Sequence, residues 1–144
     1  MNSATSTLNI NNDLLYVHDA TTKQRWLIDG GAVLSIMPPT MAQRVKGPNK
    51  THLQAANGSR IDCYGVETVQ IHIADKKIKF PVTIADVSQN ILGADFLAHS
   101  YLAPNHRDGN LISLHDMTTI DARVASDATH SVRRVDRGKA TMKQ

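Results

Sequence analysis

One aspartate stands in a stretch whose residue types suggest chemistry. Asp29 ends the apolar run 26–28, Gly30 and Gly31 follow it, and a second apolar run covers residues 32–37. A carboxylate between segments that favour burial costs free energy unless hydrogen bonds hold it. The glycines allow a sharp turn. The stretch therefore predicts an acid at a tight turn between two buried strands, or, alternatively, an ordinary polar turn residue, because Asp-Gly is a common turn pair.

Two further stretches have the composition of a lid and of a support for such a turn. Residues 53–61 contain Asn57-Gly58, a strong hairpin signal, with few large apolar residues near the tip. Residues 84–97 hold a short apolar pair, a turn at Gly93 and a helix candidate. The hairpin alone could equally be an ordinary surface hairpin.

In this order and at these distances, the three stretches resemble the retropepsins, in particular the protease domain of long-terminal-repeat (Gypsy-like) retrotransposon polyproteins. In that family, Asp-Thr/Ser-Gly-Ala carries the catalytic acid, a flap hairpin closes over substrate, and an Ile-Leu-Gly turn precedes a short helix. The resemblance covers about residues 13–115. It implies a mostly β acid-protease fold, a closed barrel-like sheet with a flap hairpin and one short C-terminal helix, active as a homodimer.

The resemblance also implies roles for individual residues. Asp29 is then the catalytic acid of an aspartic endopeptidase that processes a polyprotein. The residues expected to bind substrate are Gly31, Ala32, Ala56, Asn57 and Gly58. Those expected to support the active site are Gly30, Ser35 and Gly93. The residues suggested for apolar specificity pockets are Leu34, Val82 and Ile91.

The need for two acids predicts a dimer. Hydrolysis of this kind uses one ionised carboxylate to activate water and one protonated carboxyl group to donate to the carbonyl oxygen. The chain carries the motif once, and Asp86 lacks the glycine turn that follows Asp29. We therefore expect the second acid to be Asp29 of another copy, related by a twofold axis, with an extended polypeptide as substrate.

Two positions depart from the family pattern. Gly30 stands where the family has Thr or Ser, whose hydroxyl bonds to the partner subunit, and Val33 stands where many members have an acid. The missing hydroxyl predicts a weaker dimer and slower turnover. It also motivates a second hypothesis, namely a protease-like dimerisation or scaffold module with little or no activity.

Other catalytic chemistry has weaker support. The seven histidines lack the spacing of a zinc site, and the single cysteine has no partner, so we expect no metal and no cofactor. Cys63 lies in a strand arm without an activating helix N-terminus. Ser35 has no nucleophile elbow around it and is expected to bond to the turn backbone.

Length and composition suit one domain with two tails. The chain has 144 residues and a net charge of +3. Residues 1–12 are expected to be disordered, residues 13–115 to form the protease domain, and residues 116–144 to form a basic, flexible extension. That extension predicts at most a weak nucleic-acid contact, because no aromatic residues interleave with its charges.

No segment predicts a membrane span or secretion. No apolar run approaches the roughly 20 residues that a span requires, and residues 1–12 lack an apolar signal core. We therefore expect no membrane partner and a location in the cytoplasm or in a virus-like particle.

Short apolar runs bounded by turn residues, and period-2 alternation within residues 69–73 and 78–84, predict the elements that position these groups. Strands are predicted at 14–18, 24–28, 35–37, 69–73, 78–84, 91–92 and 110–114. A hairpin is predicted with arms at 52–56 and 60–64 and a type I′ turn between them. Residues 94–100 are the best helix candidate, and residues 40–45 could form a helical turn. Pro81 suggests an edge position or a bulge.

Overall fold

The structure, a computed structural model, describes residues 14–125, and this part of the chain forms two sheets and two short helices. The strands are β1 (Leu14–His18), β2 (Arg25–Ile28), β3 (Ile36–Met37), β4 (His52–Gln54), β5 (Arg60–Ile73), β6 (Lys76–Ala85), β7 (Asn90–Leu92), β8 (Leu102–Asn105), β9 (Asn110–Ser113), β10 (Thr119–Asp121) and β11 (Arg123–Ala125). The helices are α1 (Met41–Lys46) and α2 (Ala94–His99). No helix among residues 14–125 is long and apolar enough to cross a membrane.

The strand order of the larger sheet decides which loops meet. Its eight strands follow the order β11-β1-β2-β7-β3-β6-β5-β4, and β10-β9-β8 form the smaller sheet. β7 runs parallel to β2, with Ile28 beside Leu92, and antiparallel to β3. Because β7 lies between β2 and β3, the segment that leaves β2 lies beside the segment that leaves β7.

Apolar packing fixes these strands to α2. Trp26 and Ile28 of β2, Leu92 of β7 and Phe96 of α2 are all almost completely buried in one core cluster. Phe96 meets Phe80 of β6 edge to face, with ring centroids 5.3 Å apart. Full burial of one such side chain contributes about 1.5–3 kcal/mol. The site-bearing strands are therefore attached to the most tightly packed part of the domain.

The predicted mostly β domain is confirmed, and the helical turn suggested at residues 40–45 is the helix α1. β1 covers the predicted residues 14–18, and α2 begins where the sequence placed a helix. The helix α1 begins after Thr40 because a capping box forms there. Gln43 donates its backbone N–H to the Thr40 hydroxyl oxygen at 3.1 Å, and Thr40 donates its N–H to the Gln43 side chain at 2.8 Å.

Two segments predicted as separate strands are one. The predicted arm 60–64 and the predicted strand 69–73 both belong to β5, which is bent by a bulge between Cys63 and Gly65. Gly65 has a φ of 124°, which glycine adopts without strain. The bulge therefore lets one strand serve both the hairpin and the sheet.

The hairpin between β4 and β5 has a different turn from the predicted type I′. Gly58 has a φ of 88°, whereas Asn57 has no positive φ. Ala55 donates its N–H to Ser59 O at 2.8 Å, and Gly58 donates its N–H to Ala55 O at 2.9 Å. The loop is thus the three-residue kind with glycine in the left-handed region.

The folded domain continues beyond the predicted boundary at residue 115. β10 pairs with β9, and β11 pairs with β1, with Tyr16 beside Arg123. Both strands lie in the segment 116–144 that the sequence assigned to a flexible extension, so that boundary is corrected to at least residue 125. β8 was also missed. The predicted disordered segment 1–12 and the basic residues after 125 lie outside the described residues.

A buried aspartate ties the β1–β2 turn to β5. Asp19 is 1 % exposed. Its carboxylate accepts the backbone N–H groups of Thr21, Thr22 and His72, each at 2.8 Å. Burial acts to raise the pKa of Asp19, but these three donors outweigh it and hold the pKa below its ordinary value. The carboxylate therefore stabilises the fold in its ionised form.

We predict that Asp19→Asn lowers the free energy of unfolding by about 1–3 kcal/mol, because the amide cannot accept all three bonds. Since the folded-state pKa is lowered, the contribution is complete above the unfolded-state pKa of about 3.9 and is lost as the pH falls through the folded-state value. Urea unfolding at several pH values checks this, with the exposed Asp75→Asn as control. A gap between wild type and Asp19→Asn that widens towards acid pH would contradict it.

Candidate active site

Asp29 lies in a tight turn directly after β2. Its backbone N–H donates to Leu92 O at 2.9 Å, which extends the pairing of β2 with β7. Its carboxylate accepts the N–H of Gly31 at 3.0 Å, and its carbonyl accepts the N–H of Ala32 at 3.0 Å. The side chain is half-buried. The turn thus presents one carboxylate at the end of a buried strand, as the glycine pair predicted.

A set of buried hydrogen bonds holds the next part of this loop against the start of α2. The Ser35 hydroxyl donates to Asp95 Oδ1 at 2.7 Å and accepts the N–H of Gly93 at 2.9 Å. The Ser35 N–H donates to Asp95 Oδ2 at 3.2 Å. We call these contacts the Ser35–Asp95 clasp. Sequence reasoning expected Ser35 to bond to its own turn, so the Asp95 partner is a correction.

Backbone hydrogen bonds extend the clasp towards Asp29. Ala94 donates its N–H to Ala32 O at 2.7 Å, and Asp95 donates its N–H to Val33 O at 3.2 Å. Asp95 was missed as a site residue because its partner lies 60 positions away. The sequence feature that could have indicated such a partner is Ser35 itself, a serine between apolar residues, because a buried hydroxyl group needs a hydrogen-bond partner.

Gly93 is required by the close approach of two backbone segments. A Cβ at this position would lie 2.6 Å from Leu34 O and 2.7 Å from Ala32 O, far inside van der Waals contact. Gly30 is the opposite case, since a Cβ there would meet only Leu97 Cδ1, at 3.9 Å. Packing within the chain therefore requires glycine at position 93 but not at position 30.

The face of the larger sheet opposite the core carries apolar side chains beside the Asp29 turn, and we call this face the floor and the region between it and the β4–β5 hairpin the cleft. Leu27 and Ile91 lie side by side on this face, and Ile36 follows Ile91. A second apolar cluster joins the floor to the β4–β5 hairpin. It comprises the buried Ile36, Cys63 and Ala85, with the partly buried Leu34, Leu53, Ile61 and Val87 packed against them.

The suggested pocket residues divide between this cleft and the core. Leu34 and Ile91 are partly buried, as a lining residue would be. Val82 is 0 % exposed and belongs to the main core. The suggestion that Val82 lines a pocket is therefore wrong, because period-2 alternation does not tell which sheet face meets the core.

Of the remaining site candidates, Ala32, expected to bind substrate, is buried at 1 % exposure, and the others lie at exposed positions. Gly30, Gly31 and Val33 are exposed beside the carboxylate, and Val33 is 57 % exposed. The hairpin-tip residues expected to bind substrate, Ala56, Asn57 and Gly58, are also exposed. Hydrogen bonds within the hairpin, including Ser59 N–H to Asn57 Oδ1 at 2.9 Å, hold this tip.

The competing chemistries have no support in this geometry. Asp86 is bound by Arg44 at 3.0 Å and by the Tyr64 hydroxyl at 3.3 Å, on the α1 side of the hairpin. Burial raises the pKa of the Cys63 thiol, which disfavours the nucleophilic thiolate. Within residues 14–125, no three His, Cys, Asp or Glu side chains group closely enough to hold a metal ion.

We predict that Gly93→Ala lowers the free energy of unfolding by more than about 3 kcal/mol, because two carbonyl groups must move to admit the methyl group. Gly30→Ala is the matched control. It should stay within about 1 kcal/mol of wild type, since its methyl group finds ordinary contact distances. Urea unfolding of both variants checks this. Equal losses at the two positions would contradict the packing argument.

Two solved structures are similar to this chain. The retroviral protease-like domain of Ddi1 from Leishmania major superposes with a TM-score of 0.55, at 19 % identity, covering 76 % of this chain and 93 % of that chain. EIAV protease complexed with the inhibitor HBY-793 has a TM-score of 0.44 at 24 % identity, covering 67 % of this chain and 93 % of that chain.

The first of these structural likenesses confirms the predicted retropepsin-like fold. A search of curated proteins found no match. The family model described as gag-polyprotein putative aspartyl protease matches residues 17–99, more than half of the chain, and these residues include Asp29, the β4–β5 hairpin and the Ser35–Asp95 clasp. The chain therefore belongs to the gag-polyprotein putative aspartyl protease family.

Proposed function

We propose that this protein is an aspartic endopeptidase that acts as a homodimer and cleaves extended segments of a retrotransposon polyprotein. The observation that carries the proposal is Asp29, a single carboxylate held at a tight turn by its own chain. Membership of a gag-polyprotein protease family supports the polyprotein context. Cleavage would then take place in the cytoplasm or in a virus-like particle.

Two copies of Asp29 supply the acid and the base that the reaction requires. Two carboxylates about 3 Å apart cannot both ionise readily, so their titrations separate and belong to the pair. The ionised member takes a proton from water, which attacks the peptide carbonyl, while the protonated member donates to the carbonyl oxygen. No covalent intermediate forms.

The cleft supplies the place for an extended peptide. Its floor is the outer sheet face with Leu27 and Ile91, and its roof is the β4–β5 hairpin, here called the flap. Leu53 and Ile61 of the flap already pack towards Ile36 of the floor. The carbonyl of Gly31 and the backbone of Ala56–Gly58 would hold the substrate main chain, because main-chain hydrogen bonds bind any sequence.

Gly30 supports a second candidate, a dimeric scaffold module with little or no activity. Without a hydroxyl at this position, no side-chain hydrogen bond can cross between two copies there. Such a bond contributes roughly 0.5–1.5 kcal/mol, and the glycine also loosens the turn by roughly 0.5–1 kcal/mol. Catalytic geometry tolerates little such looseness.

We predict that the protein cleaves peptides at apolar sites at mildly acidic pH, and that Asp29→Asn lowers kcat/KM by about 100-fold or more, because both members of the pair lose their carboxyl group. The rate should rise more steeply than linearly with protein concentration, since each site needs two chains. A mixed peptide library read by mass spectrometry, with sedimentation on the same samples, checks both. Absence of cleavage where sedimentation shows a dimer would favour the scaffold.

We predict that Gly30→Thr tightens the dimer by roughly 5- to 150-fold, since two copies of one hydrogen bond add about 1–3 kcal/mol. The side chain has room within the chain, because a Cβ there meets only Leu97 at 3.9 Å. Gly30→Val is the matched control, with the same shape and no hydroxyl. If Val and Thr tighten the dimer equally in sedimentation, the hydrogen-bond account of position 30 is wrong.

A further inference from the structure

We propose that Arg25 determines substrate specificity by selecting an acidic side chain at the third residue from the scissile bond. This inference rests on the proposed peptidase function and adds to it the chemical class of the substrate.

The alternation of β2 places Arg25 in line with Asp29. Trp26 and Ile28 point into the main core, so Arg25, Leu27 and Asp29 lie on the opposite face. Leu27 is buried but belongs to neither apolar cluster, as expected of a side chain on the cleft side. A row of alternate residues therefore leads from the catalytic carboxylate through an apolar position to a cation.

The neighbouring strand carries a matching row. Leu27 lies beside Ile91 of β7, and Gln89, two positions earlier, lies beside Arg25. The Arg25 Nη2 donates to Gln89 Oε1 at 3.5 Å, at the limit of a hydrogen bond. The cleft floor thus changes from apolar at Leu27 and Ile91 to polar and cationic at Arg25 and Gln89.

Arg25 is positioned by an aromatic ring and has no acidic partner. Its guanidinium lies over Tyr16, 4.7 Å from the ring centroid, which limits its freedom without neutralising its charge. The ion pairs found among residues 14–125 join Arg44 to Asp86 and Arg60 to Asp62. Arg25 is exposed, so its charge is available to a ligand.

The strands around Arg25 add positive charge and no negative charge. The adjacent strands β11, β1, β2 and β7 contain no aspartate or glutamate. They contribute Arg123, which lies beside Tyr16. A carboxylate brought to this end of the cleft therefore meets the positive charge of Arg25 and no acid from these four strands.

The spacing of an extended peptide fits this row. Side chains on one face of a strand repeat every second residue, roughly 6.6 Å apart, and the step from Leu27 to Arg25 has the same length. A substrate whose residue next to the scissile bond lies over Leu27 and Ile91 therefore places its third residue at Arg25. A glutamate or aspartate there pairs with the guanidinium. In a homodimer, both ends of the substrate meet this arrangement.

The test uses ten-residue peptides with a central Leu-Leu pair and Glu, Gln or Lys at the third residue on either side of the scissile bond. We expect wild type to prefer the Glu peptide over the Gln peptide by roughly 3- to 10-fold in kcat/KM, as for a partly exposed ion pair. The preference should shrink as ionic strength rises. Arg25→Gln should bring the ratio close to one, and Arg25→Glu should turn it into a preference for Lys.

The ratio of kcat/KM between peptides distinguishes a change in recognition from a loss of folded protein, because a loss of folded protein lowers kcat/KM for all three peptides equally. Lys79→Gln, an exposed position on β6, removes the same charge elsewhere and should leave the ratio unchanged. A wild-type ratio near one, or a ratio that Arg25→Gln leaves intact, would overturn the role of Arg25. Cleavage that Asp29→Asn abolishes would still support the peptidase.

If no peptide is cleaved at concentrations where the protein is dimeric, the peptidase proposal is overturned. Binding of the same peptides, labelled and measured by fluorescence anisotropy, then still tests the role of Arg25. A Glu preference in binding that depends on Arg25 would then still support acid recognition at this end of the cleft, and equal binding of the three peptides would overturn it as well.

Discussion

The Ser35–Asp95 clasp is the contact on which the site depends. Its serine is fully buried, and its aspartate receives both the hydroxyl and the N–H of that serine. Because β7 lies between β2 and β3, the loop after Asp29 and the turn before α2 leave the sheet side by side. The clasp joins them where Gly93 lets the backbones approach. The position of the catalytic candidate therefore follows from the strand order.

This arrangement limits how far the glycine at position 30 can disturb the geometry of the Asp29 turn. The hydrogen bonds that fix the Asp29 turn come from Leu92, Gly31 and Ala32 of the same chain, and none requires a side chain at position 30. In the proposed dimer, the missing hydroxyl therefore removes a contact between copies, while the hydrogen bonds within the chain that hold the acid remain. The departure then acts first on dimer stability, and on turnover through the weaker dimer and the looser turn.

Sequence reasoning recovered what depends on neighbours along the chain and missed what depends on distant ones. Apolar runs and period-2 alternation together located most strands, and the glycine pair located the turn at Asp29. Asp95 and β11 were not predicted because their partners, Ser35 and β1, are far away in sequence. Val82 was misplaced because alternation gives two faces without saying which one meets the core. The role of Asp19, visible only as a turn residue, needed His72 from β5.

The two faces of β2 carry side chains with different roles, one face in the stability of the fold and the other in the proposed recognition of substrate. Trp26 and Ile28 hold the strand in the main core, whereas Arg25, Leu27 and Asp29 face the cleft. A change at an even-numbered position therefore acts on the fold and hence on every substrate equally. In the proposed peptidase, a change at Arg25 acts on the substrate side of the sheet, where it alters which peptide is bound, whereas a change at Leu27, which is 7 % exposed, also acts on stability. Since Asp29 follows directly on the strand that carries Arg25 and Leu27, and its N–H continues the pairing of β2 with β7, the strand repeat sets the spacing of these three residues as far as the turn begins.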